Sequence, residues 1–339
     1  MKPTMKLRAT DSTAPTRIDL AGGTVDIWPI SQLIEGAVTV NLAITLTTHA
    51  SVTPRRDRRV EIVSADRGRK VLHDLPLADT AFRGPLSWLV RLTHAFAPGV
   101  PLTLACRAEA PAGAGLGGSS ALGIAVGAAL AGATGERLSK EALLRRVMNL
   151  ETREIGVPTG NQDYLAALWG VLHAYHHHLD GVARQPLPHA NALASRLVLA
   201  YTGQPRQSGF SNWDMFRRYI EKEATTKRRM ETIAELSRSM HDALASGDLD
   251  EAGRLLGAEG RLRYSLAPSV ATPALHAADA AARRAGALGA KVCGAGGGGC
   301  LVAFAREGRR DEVASAIART GASLLAFSAA RRGVAVSGS

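Results

Sequence analysis

Residues 111–121 read PAGAGLGGSSA, and the architecture turns on them. They stand between a β-like run at 101–108 and an Ala/Leu/Val-rich helical run at 119–133. Glycine lets a backbone bend sharply and lets its N–H groups approach a ligand closely. The helix that follows aims its unpaired N–H groups and the positive end of its dipole at the same spot. A strand, a glycine loop and a helix N-terminus together suit a di- or triphosphate. Ser119 and Ser120 at the helix start can cap it, or offer a hydroxyl to phosphate or to magnesium. Positions 113–118 satisfy G-x-G-x-x-G, but the stretch does not open the first βαβ unit, and no second strand ends in an acid about 20 residues on. Gly-Lys-Ser/Thr is absent, so the loop is not a Walker A motif.

Glycine is also the guide to the rest of the chain. There are 35 glycines in 339 residues, and the excess is gathered at 22–23, 113–118 and 294–299, each beside a β-like segment. Ordered loops follow from that placement rather than a flexible linker. Strands are expected at 38–52, 59–63, 101–108, 196–201, 288–293 and 300–305, and helices at 119–133, 139–155, 249–266, 272–285 and 311–319. Ser139 suits an N-cap. Residues 212–246 read as one long charged helix or a helix pair. The composition shifts beyond about residue 190, near Pro186-Leu-Pro188, which divides the chain into 1–190 and 191–339.

Composition narrows the function classes. Hydrophobic residues make up 46% and charged residues 21% of the chain, the balance of a globular protein. No apolar run reaches the ~18 residues that span a bilayer. Residues 1–12 are polar and lack a signal-peptide core. Cys106, Cys293 and Cys300 are too scattered for a disulfide framework or a zinc site. A cytoplasmic protein without membrane partners is expected. The formal charge of +11 invites nucleic acid, but aromatics are only 4%, too few for a base-stacking platform. An anionic small substrate accounts for the charge equally well. His173 and the run His176–His178 do not form a metal site by this reading, because neighbours on a strand point to opposite faces. A solvated hairpin edge is expected there.

The 111–121 stretch closely resembles the phosphate loop of the GHMP kinases, the family of galactokinase, homoserine kinase, mevalonate kinase and phosphomevalonate kinase. Two further stretches resemble that family's other motifs in the expected order: APTRIDLAGGTVDIWPI at 14–30 and KVCGAGGGGCLVA at 291–303. The first is a strand ending in a Gly-Gly bend that presents Thr24 and Asp26; the second is a strand–glycine turn–strand. The resemblance implies an α+β fold of two domains, ribosomal-protein-S5-like with a left-handed βαβ crossover and then ferredoxin-like, with the site between them. It implies ATP and Mg2+, and a small-molecule acceptor rather than nucleic acid, in a monomer or homodimer.

By the same resemblance, Pro111, Gly113, Gly115, Leu116, Gly117, Gly118, Ser119 and Ser120 would bind ATP. Thr24, Asp26, Gly296 and Gly297 would meet the substrate. Ser119 and Glu151 would hold the metal, with Glu154 as the alternative acid and Ser120 as the alternative hydroxyl. Asp163, in PTGNQDYLAA at 158–167, resembles the aspartate that acts on the acceptor hydroxyl, with Arg17 as the basic residue that completes the site in some branches. Galactokinases carry Glu-His-Thr-Asp where this chain has Gly23, Thr24, Val25 and Asp26, which leaves room beside Asp26 for a different sugar. The N-terminal pattern looks more like fucokinase domains and heptose 7-phosphate kinases. A sugar-1-kinase is therefore expected, with D-glycero-D-manno-heptose 7-phosphate first. A fucokinase-like enzyme, a mevalonate-type kinase and a non-catalytic sugar sensor follow in that order.

Overall fold

The computed structural model describes residues 7–205, 210–266, 270 and 272–338. The first half runs β1 (Thr10–Ala21), α1 (Ile30–Leu33), β2 (Val38–Pro54), β3 (Arg59–Ser64), β4 (Arg69–Asp74), α2 (Ser87–Phe96), β5 (Leu102–Ala108), α3 (Gly118–Thr134), α4 (Lys140–Ile155), α5 (Gln162–Trp169), β6 (Leu172–His178) and β7 (Gly181–Pro186). The second half runs α6 (Ala190–Arg196), β8 (Leu197–Tyr201), α7 (Phe210–Ile220), α8 (Ala224–Ser246), α9 (Leu249–Leu266), α10 (Pro273–Arg284), β9 (Ala287–Val292), β10 (Cys300–Ala305), α11 (Arg310–Ala318), β11 (Ser323–Leu324) and β12 (Ala335–Gly338). No helix among the described residues is long and apolar enough to cross a membrane.

Two sheets organise these elements. The larger has the order β12-β1-β2-β5-β3-β4, with β6 also on β2 and β7 on β6; the smaller is β11-β8-β10-β9. All pairs are antiparallel except β3 with β5. β2 is buried without alternation from Val38 to Ile44, because both faces of the sheet are covered there. It pairs with β6 in that stretch and with β5 farther on. α3 is buried on nearly every side, as its all-round apolar sequence requires, and packs on β1, β2, α2, α4 and α5.

One apolar core joins the halves. Ile18, Leu20, Val40 and Leu42 of the larger sheet pack with Leu199, Met240, Leu256 and Phe304 of the second half. The tail then returns to the first sheet: Thr45 N–H donates to Ser328 O, Val334 N–H to Ala167 O, and β12 pairs with β1.

The expected elements are present within a residue or two. Ser139 caps α4 by accepting the N–H of Ala142 at 3.1 Å. The charged stretch at 212–246 is a pair, α7 and α8. The histidine run departs from expectation. β6 lies between β2 and β7, so it is not an edge; His173 and His177 are buried, and only His178 is exposed. Among the described residues no group of three or more His, Cys, Asp or Glu is arranged to hold a metal ion.

Candidate active site

A cleft of about 270 Å³ opens where the first-motif turn, the start of α3, the end of α4 and the start of α5 meet. Arg17, Thr24, Asp26, Ser119, Ser120, Glu151 and Asp163 all line it. These positions are 146 residues apart at the extremes, and only the fold brings them together.

At the start of α3, Gly117 adopts a left-handed φ of 71° as the N-cap. A Cβ there would fall 2.9 Å from Cγ of Asp163, so glycine is what lets the loop approach that carboxylate. Gly118 is different, because a Cβ on it would meet no protein atom within 4 Å. Its open side faces no other part of the chain beyond its own helix. The loop is braced from behind by the third motif, where Cys300 N–H donates to Ala114 O at 2.9 Å. Leu116 is a buried core residue whose carbonyl accepts the Arg17 N–H, and Pro111 O accepts the Ala114 N–H that closes the turn. Gly299 lies against the carbonyls of Gly113 and Ala114, which leaves no room for a side chain there.

The carboxylate of Glu151 sits at the same helix start. Ser119 Oγ donates to its Oε1 at 2.6 Å, Ser120 Oγ to Oε2 at 3.0 Å and Tyr164 OH to Oε2 at 2.6 Å. Burial pushes its pKa up, and the three hydroxyl donors oppose that shift. No cation pairs with it among the described residues. A buried carboxylate flanked by a serine oxygen, without a counter-ion, is a hard oxygen donor set that fits Mg2+. Glu154 also lines the cleft but is engaged otherwise, accepting from Ser87 Oγ and pairing with Arg91.

Asp163 lies in the first turn of α5. Arg17 Nε donates to its Oδ1 at 2.8 Å and Nη2 lies 2.5 Å from the same atom. Nη1 donates to Gly115 O at 2.8 Å, so Arg17 ties the aspartate to the phosphate loop. Oδ2 accepts no hydrogen bond among the described residues and stands near Gly117. Asp26, on the turn after β1, accepts the Gln162 N–H at 2.9 Å on Oδ2 and the Thr24 N–H at 3.1 Å on Oδ1. Burial raises its pKa to about 6, the backbone N–H groups of Gln162 and of Asp26 itself counter this, and Asp163 and Asp19 add to the rise.

Two expectations need correction. Gly296 and Gly297 do not line the cleft: they pack on Val270, to whose carbonyl Gly297 N–H donates at 2.9 Å, and Gly294 and Ala295 face the cleft instead. The room beside Asp26 is also not free. A Cβ on Gly23 would stand 2.3 Å from Asp19 Oδ2, 2.7 Å from Arg263 Nη2 and 2.9 Å from Gln162 Nε2. Sequence reasoning missed Asp19, Gln162 and Arg263, together with Arg67, Trp88 and Ile155 along the wall near α2 and α4. Asp19 stands two positions from Arg17 and Gln162 one position from Asp163, both inside quoted motifs; Arg263 lies in a charged helix with no local signal.

Comparisons with known proteins bear on the family and the fold. The family model described as "GHMP kinases N terminal domain" matches residues 86–171, and "GHMP kinases C terminal" matches residues 240–323. The mevalonate kinase of Pyrococcus horikoshii is 30% identical over 241 residues, which is 70% of this chain and 69% of that one. Across the mevalonate kinases it matches, the chain spans 63% to 69% of their length. The D-glycero-alpha-D-manno-heptose 7-phosphate kinase of Campylobacter jejuni is 24% identical over 335 residues, 94% of this chain and 96% of that one. The solved D-glycero-D-manno-heptose 1-phosphate kinase of Bacteroides thetaiotaomicron superposes with a TM-score of 0.76 at 24% identity, covering 97% and 98% of the two chains.

Proposed function

The chain belongs to the GHMP kinases, a family of phosphotransferases that draw on ATP, and we propose that it phosphorylates a sugar or sugar phosphate on a hydroxyl, the anomeric one in the first instance. D-glycero-D-manno-heptose 7-phosphate is the acceptor we put first. The observation that carries the reading is the meeting, on one cleft, of a phosphate-loop helix start that holds an unpaired buried carboxylate and an aspartate oriented by an arginine. The near full-length match to a heptose 7-phosphate kinase supports this acceptor.

Each residue has a task. The loop at 113–118 and the N-terminus of α3 receive the polyphosphate with backbone N–H groups. Ser119 and Glu151 would hold magnesium, which neutralises phosphate charge when bound. Asp26 accepts hydrogen bonds from acceptor hydroxyls. Asp163 takes the proton of the attacking hydroxyl on Oδ2, while Arg17 fixes Oδ1. Because its N–H groups are directed to Asp163 and Gly115, Arg17 orients the aspartate rather than touching the acceptor. A second reading, a mevalonate-type acceptor, is favoured by the 30% identity to the Pyrococcus horikoshii enzyme.

Two variants test the reading. Gly118→Val puts a side chain into open space at the start of the phosphate-loop helix, so calorimetric ATP binding should weaken while the melting temperature holds. Asp163→Asn should keep ATP binding and lower turnover by about 10²- to 10⁴-fold, the range of a lost general base. Near wild-type kcat in Asp163→Asn would remove the proton-acceptor role, and wild-type ATP affinity in folded Gly118→Val would remove the phosphate-loop assignment.

A further inference from the structure

In the wall of the cleft and beneath it lie four buried charges that the proposed chemistry does not use. Lys291 Nζ on β9 stands 3.0 Å from Asp19 Oδ1 on β1 and 2.8 Å from Glu259 Oε1 on α9. Arg263, one helical turn along, places Nε 2.8 Å from Glu259 Oε1 and Nη2 3.6 Å from Asp19 Oδ2. None of the four side chains is more than 3% exposed. Two acids and two bases balance, as they must, since an uncompensated charge at this depth is strongly unfavourable. A buried ionic group is weak grounds for stability, so its geometry is the better guide to its use.

That geometry leads to one place. Glu259 Oε2 accepts the N–H of Gly22 at 3.0 Å, and Arg263 Nη2 donates to the carbonyl of Gly23 at 2.6 Å. These are the first residues of the turn that ends in Asp26. Gly22 and Thr24 hold left-handed φ angles of 87° and 82° in it, a conformation that costs a threonine free energy and persists only when its surroundings enforce it. Gly23 is glycine because Asp19, Arg263 and Gln162 fill the space of a side chain. The second half of the chain thus grips the turn by both backbone groups, while the side chains at the start of α3 bond to Glu151 of the first half.

We propose that the Asp19–Glu259–Arg263–Lys291 cluster is a positioning device, by which α9 and β9 set the Gly22–Asp26 turn for the acceptor, with Arg263 as its principal residue. This rests on the reading above that the turn is the acceptor side. Its signature is a separation of the two substrates: loss of the grip loosens the acceptor and leaves the nucleotide alone.

The test compares full-length wild type with Arg263→Lys, which keeps the charge but replaces a rigid fork with a single head that cannot serve both Glu259 and the Gly23 carbonyl. A second variant, Glu259→Gln with Arg263→Gln, removes one charge of each sign. Amide hydrogen exchange in 20–27 should quicken about tenfold or more while 113–121 is unchanged. The KM for D-glycero-D-manno-heptose 7-phosphate should rise about tenfold, with kcat and the ATP Kd moving by less than about threefold. Unchanged exchange at 20–27 in a folded variant overturns the proposal, as does an equal loss of ATP and acceptor binding. Failure of both variants to fold also overturns it, because the cluster is then a determinant of folding. Should the wild type bind no ATP, the kinase reading fails, and the exchange result still decides the role of the cluster.

Discussion

If Asp26 meets the acceptor as proposed, it is the residue through which pH would act on acceptor recognition. Burial holds its pKa at about 6, so the carboxylate is ionised at neutral pH and protonated below that value. Ionised, it accepts from Gln162 and Thr24 and keeps lone pairs for acceptor hydroxyls; protonated, one oxygen becomes a donor facing donors. The acceptor kcat/KM should therefore fall about tenfold per pH unit below pH ~6, as a single essential base requires. In Asp26→Asn that acid limb should vanish and the plateau should drop, whereas the ATP Kd should show no such limb; a limb that survives in Asp26→Asn assigns it to another group. The linkage sign for folding is the opposite one. With a folded pKa above the unfolded value, the contribution of Asp26 to stability is full below about pH 4 and is lost as pH rises through about 6. Asp26, Asp163 and Glu151 were legible from sequence because each stands in a motif with a local shape. Arg263 and Lys291 were not, because their meaning is a contact made more than 200 residues away along the chain. The glycine run at 294–299 misled for a related reason: its members are alike in sequence, and only the fold decides which of them face the cleft.

Three helices converge on one carboxylate at the scale of elements. α4 carries Glu151, α3 brings Ser119 and Ser120, and α5 brings Tyr164. The start of α3 is thereby held where a phosphate would meet it, by hydrogen bonds to a charged acceptor, which are stronger than neutral ones. Tyr164→Phe keeps the ring in its buried place and removes one donor. Stability should fall by about 1–3 kcal/mol, the penalty for a buried group left short of a partner. Glu151→Gln should instead raise the Mg2+ concentration for half-maximal rate and leave metal-free nucleotide binding near wild type. Chemical denaturation reads the first and a magnesium titration of the rate reads the second; an unchanged magnesium requirement would take Glu151 out of the metal site. The elements themselves were largely legible, since α3 and α4 declare themselves by apolar period and cap. Their convergence was not, because no local pattern in α5 shows that Tyr164 turns toward α4.

For the whole molecule, the net charge of +11 is not gathered at the cleft. Three arginines line the cleft against the five carboxylates of Asp19, Asp26, Glu151, Glu154 and Asp163. Arg17 and Arg263 are paired with acids, and Arg67 is the lining arginine with no ion pair among the described residues. The positive excess lies elsewhere on the surface, so a phosphorylated acceptor gains little steering at the cleft itself. We place the domain boundary near residue 190, where the strands pass from one sheet to the other, with β12 returning to the first. In that arrangement the second half reaches the Gly22–Asp26 turn through Arg263 and braces the phosphate loop through the Cys300–Ala114 hydrogen bond. We propose that acceptor choice rests on hydroxyl geometry around Asp26 and Gln162 rather than on net charge. A coupled ADP-release assay with heptose 7-phosphate, L-fucose, galactose and mevalonate should give the highest kcat/KM for the heptose. The ranking should persist between low and high salt, with any fall shared by all four acceptors. A lead by mevalonate would transfer the assignment to the mevalonate-type reading. An advantage for the heptose that collapses as salt rises would mean that phosphate attraction, and not the fit at Asp26, selects the acceptor.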